Sequence, residues 1–130
     1  MATFKTDQYS GRMPVQVRNG GEAYLKVITY TPAANMANGD VLALCKLEAG
    51  EQVVDFQVGN TTTGMTGSLG VLNAGLTALT STWKAGIAAY QRADSAASWS
   101  DTSARAVGWV ASAAQTGAGT LTFILTCRKI

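Results

Sequence analysis

The stretch "NGDVLALCKLEAGEQVVDFQV", residues 38–58, decides how the chain is read. "DVLALCKL" is apolar on both strand faces, which predicts a strand that is central or has its outer face covered. In "QVVDFQV", Val54, Phe56 and Val58 alternate with Val53, Asp55 and Gln57, the period-two pattern of a strand with two unlike faces. Between them lies "EAGE", residues 48–51, where Gly50 supplies the backbone freedom of a tight connection. The expectation is two adjacent core strands and their turn, with the carboxylates of the stretch, Asp40, Glu48, Glu51 and Asp55, on the solvent side.

Flanking segments carry the same period. In "TLTFILTCRK", residues 120–129, Leu121, Phe123, Leu125 and Cys127 share one face, and Thr120, Thr122, Thr126 and Arg128 fall mostly on the other, a half-buried antiparallel strand. "EAYLKVITY", residues 22–30, sets Ala23, Leu25 and Val27 against Glu22, Tyr24, Lys26, Ile28 and Tyr30. Pro32 then blocks continuation of the ladder, and Asn38-Gly39 forms a left-handed corner. "SLGVLNAG" and "ARAVGWVAS" are shorter strand candidates, each with an interior glycine. Residues 81–99, "STWKAGIAAYQRADSAASW", read as a long surface loop with at most a helical turn, carrying Trp83, Tyr90 and Trp99. Residues 1–20 lack periodicity and read as an amino-terminal arm, leaving 21–130 as one domain. Short strands separated by Gly, Asn and Thr turns predict an all-β, single-domain, two-sheet β-sandwich of jelly-roll type, with an immunoglobulin-like sandwich as the architectural rival.

Charge is scarce. Only 14% of the 130 residues are charged, where soluble domains usually carry about 25%. A charge-poor exterior rich in Ala, Gly, Ser and Thr fits surface covered by other subunits, so an oligomer or assembly component is the first functional expectation. A net charge of +2, dispersed along the chain, gives no nucleic-acid footprint. No run approaches the ~18 apolar residues of a membrane span, and "MATFKTDQYSGRMP" lacks the apolar block of a signal peptide, so synthesis in the cytoplasm is expected. Cys45 and Cys127 each sit in an apolar run and read as reduced, structural thiols.

The chain has no histidine, which removes the usual general base and the commonest metal ligand. Glu48 and Glu51 could be drawn as an acid/base pair, or joined with Asp55 around a cation, but polar turns are common and a solvated strand end accounts for them. Asp94 and Asp101 beside Trp83 or Trp99 are the alternative, a carbohydrate-binding platform. Cys45 lacks a base, and "NGG" at 19–21 is a turn rather than a phosphate cradle. The expectation is a protein that is not an enzyme, with no catalytic, metal or cofactor site.

The same segments, taken in order, resemble the small capsid decoration, or cement, proteins of tailed bacteriophages. The likeness rests on the polar arm, on residues 38–58 as a Gly-Asp strand, Leu-x-Ala-Gly turn and Val-rich strand, on "TGSLGVLNAGLTALTSTW" as a hairpin, and on the closing "GAGTLTFILTCRK". Glu48 departs from the family, which often has Pro there. The resemblance implies a homodimer or homotrimer on the outer surface of a phage head, bridging neighbouring major capsid proteins in the virion; a jelly-roll module binding carbohydrate on a head or tail is the alternative. The arm is expected to contact capsid protein or a sister subunit through Phe4, Lys5, Tyr9, Arg12 and Arg18, and the tryptophan-bearing segment through Trp83, Tyr90 and Trp99.

Overall fold

The computed structural model describes residues 2–10, 23–93, 99–100 and 104–129, with only the backbone at 99, 100 and 129. In chain order the elements are β1 (Thr3–Lys5), α1 (Asp7–Ser10), β2 (Ala23–Tyr30), β3 (Val41–Leu47), β4 (Glu51–Asn60), β5 (Gly67–Leu72), β6 (Leu79–Ile87), β7 (Tyr90–Arg92), β8 (Trp99–Ser100), β9 (Arg105–Ala111) and β10 (Leu121–Lys129). They form two sheets. One runs β1-β3-β9-β5-β6; the other runs β2-β10-β4-β7, with β8 also paired to β4. Consecutive strands alternate between the sheets from β2 to β5 and again from β9 to β10, as a jelly roll winds, while β5 and β6 form a hairpin within the first sheet.

That winding corrects the reading of residues 38–58. β3 and β4 are not neighbours: β3 pairs with β1 and β9, and β4 with β10, β7 and β8. The residues Glu48, Ala49 and Gly50 step from one sheet to the other. Three extended residues span about 10 Å, the gap between packed sheets, so the length that would close a hairpin also crosses a sandwich. Gly50 makes the corner at φ 83°, and Gly39 makes the preceding one at 88°.

The alternation along β10 holds, with Leu121, Phe123, Leu125 and Cys127 all buried. In β4 it breaks. The register against β10 shifts between Thr126 and Cys127, which face Asp55 and Val53, and Val54 is the extra residue. Beyond this bulge the inward set is Phe56 and Val58, before it Val53, so Val54 leaves the core face where simple alternation had placed it.

Residues 81–99 are also corrected. β6 pairs with β5 along an irregular ladder containing three register shifts, and β7 and β8 add to β4. β6 is an edge strand with most residues exposed, so its backbone hydrogen bonds define it and no apolar face announces it.

The core lies between the sheets, where Leu42, Leu44 and Leu47 of β3 and Val107 and Trp109 of β9 meet Ile28, Phe56, Phe123 and Leu125. A satellite cluster lies on the outer face of the first sheet: Val41, Ala43 and Leu72 are buried beneath Tyr9, Leu76 and Leu79. This covering explains why β3 is apolar on both faces, as its sequence required.

Both cysteines are free and buried. Burial pushes the Cys45 thiol up to about 12 and the Cys127 thiol up to about 11, leaving neither as thiolate near neutrality. Native protein is expected to resist a thiol-disulfide colour reagent at pH 8 and to release two equivalents only after denaturation; rapid native labelling would show that the sandwich opens.

Candidate interaction surfaces

The amino-terminal residues are clipped to the first sheet. β1 runs parallel to β3, with Thr3, Phe4 and Lys5 opposite Val41, Leu42 and Ala43. The Asp40 carboxylate, expected on the solvent side, is buried instead and accepts hydrogen bonds from the Ala2 N–H at 2.9 Å and the Ala37 N–H at 2.8 Å. Thr6 caps α1 by accepting from the Tyr9 N–H at 3.1 Å, while its hydroxyl donates to the Leu44 carbonyl.

Phe4 is half-buried against the main core, and Tyr9 against the satellite cluster. Lys5 reaches over the Tyr9 ring at 5.8 Å from its centroid, and Lys46 of β3 at 5.0 Å, so one ring organises two ammonium groups. Arg12 and Arg18 lie outside the described residues. Trp83 is half-buried and stacks on Phe56, with centroids 6.2 Å apart and planes 22° from parallel. That ring face is used by the fold. Tyr90 is 62% exposed. The Trp99 backbone pairs with Val53, and its side chain lies outside the described atoms, as do Asp94 and Asp101. Of the eight residues expected at contacts, the fold thus joins Lys5 with Tyr9 and leaves Trp83 and Tyr90 on different sheets.

One ionic cluster was read wrongly from sequence. Glu51 is not solvent-side trim: its side chain is 0% exposed and lies 2.9 Å from the Lys26 ammonium, itself 2% exposed. The Tyr24 hydroxyl donates to the same carboxylate, and the Glu48 N–H donates to its other oxygen at 2.7 Å. Burial raises the Glu51 carboxyl, but the bonds from Glu48, Tyr24 and Lys26 outweigh it and the net shift is downward. Burial, followed by the bond to Glu51, drives the Tyr24 phenol upward, so it stays a donor. Lys26 also donates to the Lys46 carbonyl at 3.3 Å and Arg105 to the Glu51 carbonyl at 2.8 Å, which ties the two sheets together at this end. Sealed from solvent, the cluster can hold the fold but can meet no substrate. Asp55 does face outward, where it pairs with Arg92 at 3.2 Å. Among the described residues, no group of His, Cys, Asp or Glu is placed to hold a metal ion, and no helix is long and apolar enough to cross a membrane.

Two surfaces remain. On the second sheet, the β2–β10 register sets Leu25 beside Thr126, Val27 beside Ile124 and Thr29 beside Thr122. Leu25 and Val27 are 52% and 51% exposed, because Tyr24, Lys26 and Ile28 take the inward positions of β2. Apolar and hydroxyl side chains therefore face outward without a charge among these six. On the first sheet, a groove of about 450 Å³ lies between α1 and the β5–β6 turn, lined by Tyr9, Lys46, Val71, Leu72, Leu76 and Arg105 among others. Its wall is braced by the bond from the Thr3 hydroxyl to the Leu76 carbonyl at 3.0 Å and by Asn73, whose side-chain oxygen accepts from the Thr77 N–H at 2.8 Å. Neither surface was found from sequence. Leu25 and Val27 look like core residues in isolation, and the groove gathers residues from α1, β3, β5 and β9 with no common local pattern.

No protein-family model and no curated protein matches this sequence. The fold itself is shared with solved structures. A chain of "Capsid of Ralstonia phage GP4" superposes with a TM-score of 0.74 over 98% of both chains, at 17% identity. A chain of "Cyanophage Pam1 capsid asymmetric unit" gives 0.55 over 90% of this chain and 94% of that one, also at 17% identity. At this identity the likeness is one of fold.

Proposed function

We propose that the protein is a structural component of a phage head: a decoration protein that binds the outer capsid surface as a homo-oligomer and bridges neighbouring major capsid proteins. The observation that carries this reading is the match in fold with a chain of a phage capsid, which covers 98% of each chain at a TM-score of 0.74. The surface chemistry agrees. The Leu25–Val27–Ile124 face offers exposed apolar area without charge, as an interface core requires. Many copies, each gripping adjacent subunits through modest interfaces, would hold a shell by raising one another's effective concentration.

Purified particles are expected to contain the protein at a fixed ratio to the major capsid protein, visible as density on the outer head surface. Leu25→Asp with Val27→Asp, both outward-facing, should leave the thermal midpoint within a few degrees. The double variant should nonetheless lower occupancy on heads about tenfold or more. Full occupancy would remove this face from the interface; absence from particles, or binding to a glycan array instead, would overturn the decoration role.

A further inference from the structure

We infer that the groove on the outer face of the first sheet is a docking site for an extended peptide segment that carries an acidic side chain flanked by aliphatic ones, contributed by a different shell protein. The inference deepens the decoration reading and rests on it for the source of the segment, while the chemistry comes from the groove. Its apolar floor is Leu72 with the adjacent Leu76 and Val71, and its volume of about 450 Å³ suits two or three side chains of an extended strand. Its cationic rim is Lys46 and Lys5, both exposed and both drawn to the Tyr9 ring. Neither lysine is in a salt bridge among the described residues, and the groove lining contains no carboxylate. An aliphatic floor with cations at one rim selects a carboxylate between apolar side chains and disfavours a basic or all-polar segment.

The Tyr9 ring also fixes where the charge sits. Ammonium groups held 5.0 and 5.8 Å from the centroid of one ring lose less freedom on meeting a carboxylate than lysines on open surface. A membrane or nucleic-acid partner would call for a broad basic field, whereas this chain's net charge is only +2.

Two measurements separate the groove from the role. On purified protein, the peptide Ac-Thr-Leu-Glu-Val-Thr-amide should shift the amide resonances of Ala74, Leu76 and Ala106, and its Gln counterpart should bind about tenfold more weakly, the loss of one charge-assisted contact. Lys46→Glu with Lys5→Glu should abolish the difference between the peptides, and Lys46→Arg with Lys5→Arg should keep it. Equal binding of both peptides, or shifts elsewhere only, would overturn the inference whatever the protein does in a particle. On intact heads, a photo-crosslinking residue at Ala74 should capture an Asp- or Glu-containing segment of another shell protein. Capture only from position 25 would leave the decoration role standing and remove the groove from it. Capture of this chain or of a second copy at Ala74 would likewise overturn the assignment, and absence of the protein from heads would overturn the role alone.

Discussion

Replacing Lys26 with methionine is expected to destabilise the fold by about 3–5 kcal/mol, measured by urea or guanidinium unfolding, although it trades a charged side chain for an apolar one of similar length. The reason is what it leaves behind. Glu51 is fully buried and has lost its ammonium partner at 2.9 Å, while the Glu48 N–H and Tyr24 hydroxyl still favour the charged form. Adding Glu51→Gln to that variant should recover most of the loss, because the amide oxygen can still accept from the Glu48 N–H while the NH2 in place of the second oxygen donates to the Tyr24 hydroxyl, with no buried charge. A cost below about 1 kcal/mol for Lys26→Met, the range of a surface pair, would mean that water reaches the cluster. The pH dependence has a definite sign. The folded Glu51 carboxyl lies below its ordinary value, about 4.3 for glutamate in an unfolded chain. Its contribution is therefore present above that unfolded value and is lost as pH falls through the folded one. The Glu51→Gln protein should lack this part of the acid limb in a plot of thermal midpoint against pH.

The same cluster shows where a one-dimensional pattern stops. β10 could be read directly because Leu121, Phe123, Leu125 and Cys127 face one core and threonines face out. β2 could not, because its core face contains Lys26, whose burial is stabilised by a carboxylate 25 positions further along the chain. Once Lys26 goes inward, Leu25 and Val27 must go outward, since successive side chains of a strand alternate. The exposed apolar face thus follows from a buried ion pair. In β4 a single inserted residue at the bulge exchanged the faces, and nothing in "QVVDFQV" marks it. Gly50 correctly announced a corner between β3 and β4, but a corner within a sheet and one between sheets demand the same residue.

Of the candidate surfaces, only the Lys5–Tyr9 pair is named from sequence, for a related reason. Lys5 ends β1 and Tyr9 lies four residues on in α1, so their association is local. Lys46 joins them only because β1 lies parallel to β3, a pairing set by three residues and the Asp40 clamp. Arg105 reaches the groove through β9, on the other side of β3. A surface assembled from such pieces has no sequence motif, which is consistent with a fold that superposes over 98% of its length at 17% identity.

Trp109→Ala is expected to cost about 3–5 kcal/mol, with the cavity left by a fully buried indole as its main cause. The ring stands edge-on to Phe123 at 5.7 Å and an angle of 65°, linking the two sheets across the middle of the core. Its other neighbour is an absence of side chain: a Cβ at Gly67 would lie 2.3 Å from the indole carbons Cε2 and Cζ2. Gly67→Ala in the native background should therefore destabilise by about 1–3 kcal/mol through overpacking, since the ring has no free side to retreat to. In the Trp109→Ala background the same change should be nearly neutral, because the added methyl enters vacated space. The double-mutant cycle would then show a coupling of about 1–3 kcal/mol, the signature of direct contact. Strict additivity would mean that Gly67 is required by its backbone rather than by the indole. Trp109→Phe separates volume from polarity. The indole N–H is buried without a hydrogen-bond partner among the described residues, and an unsatisfied donor costs about 1–3 kcal/mol, so phenylalanine should offset part of its lost volume by removing it. A phenylalanine variant as unstable as the alanine one would mean that removing the N–H offsets nothing, and that the donor is satisfied in solution.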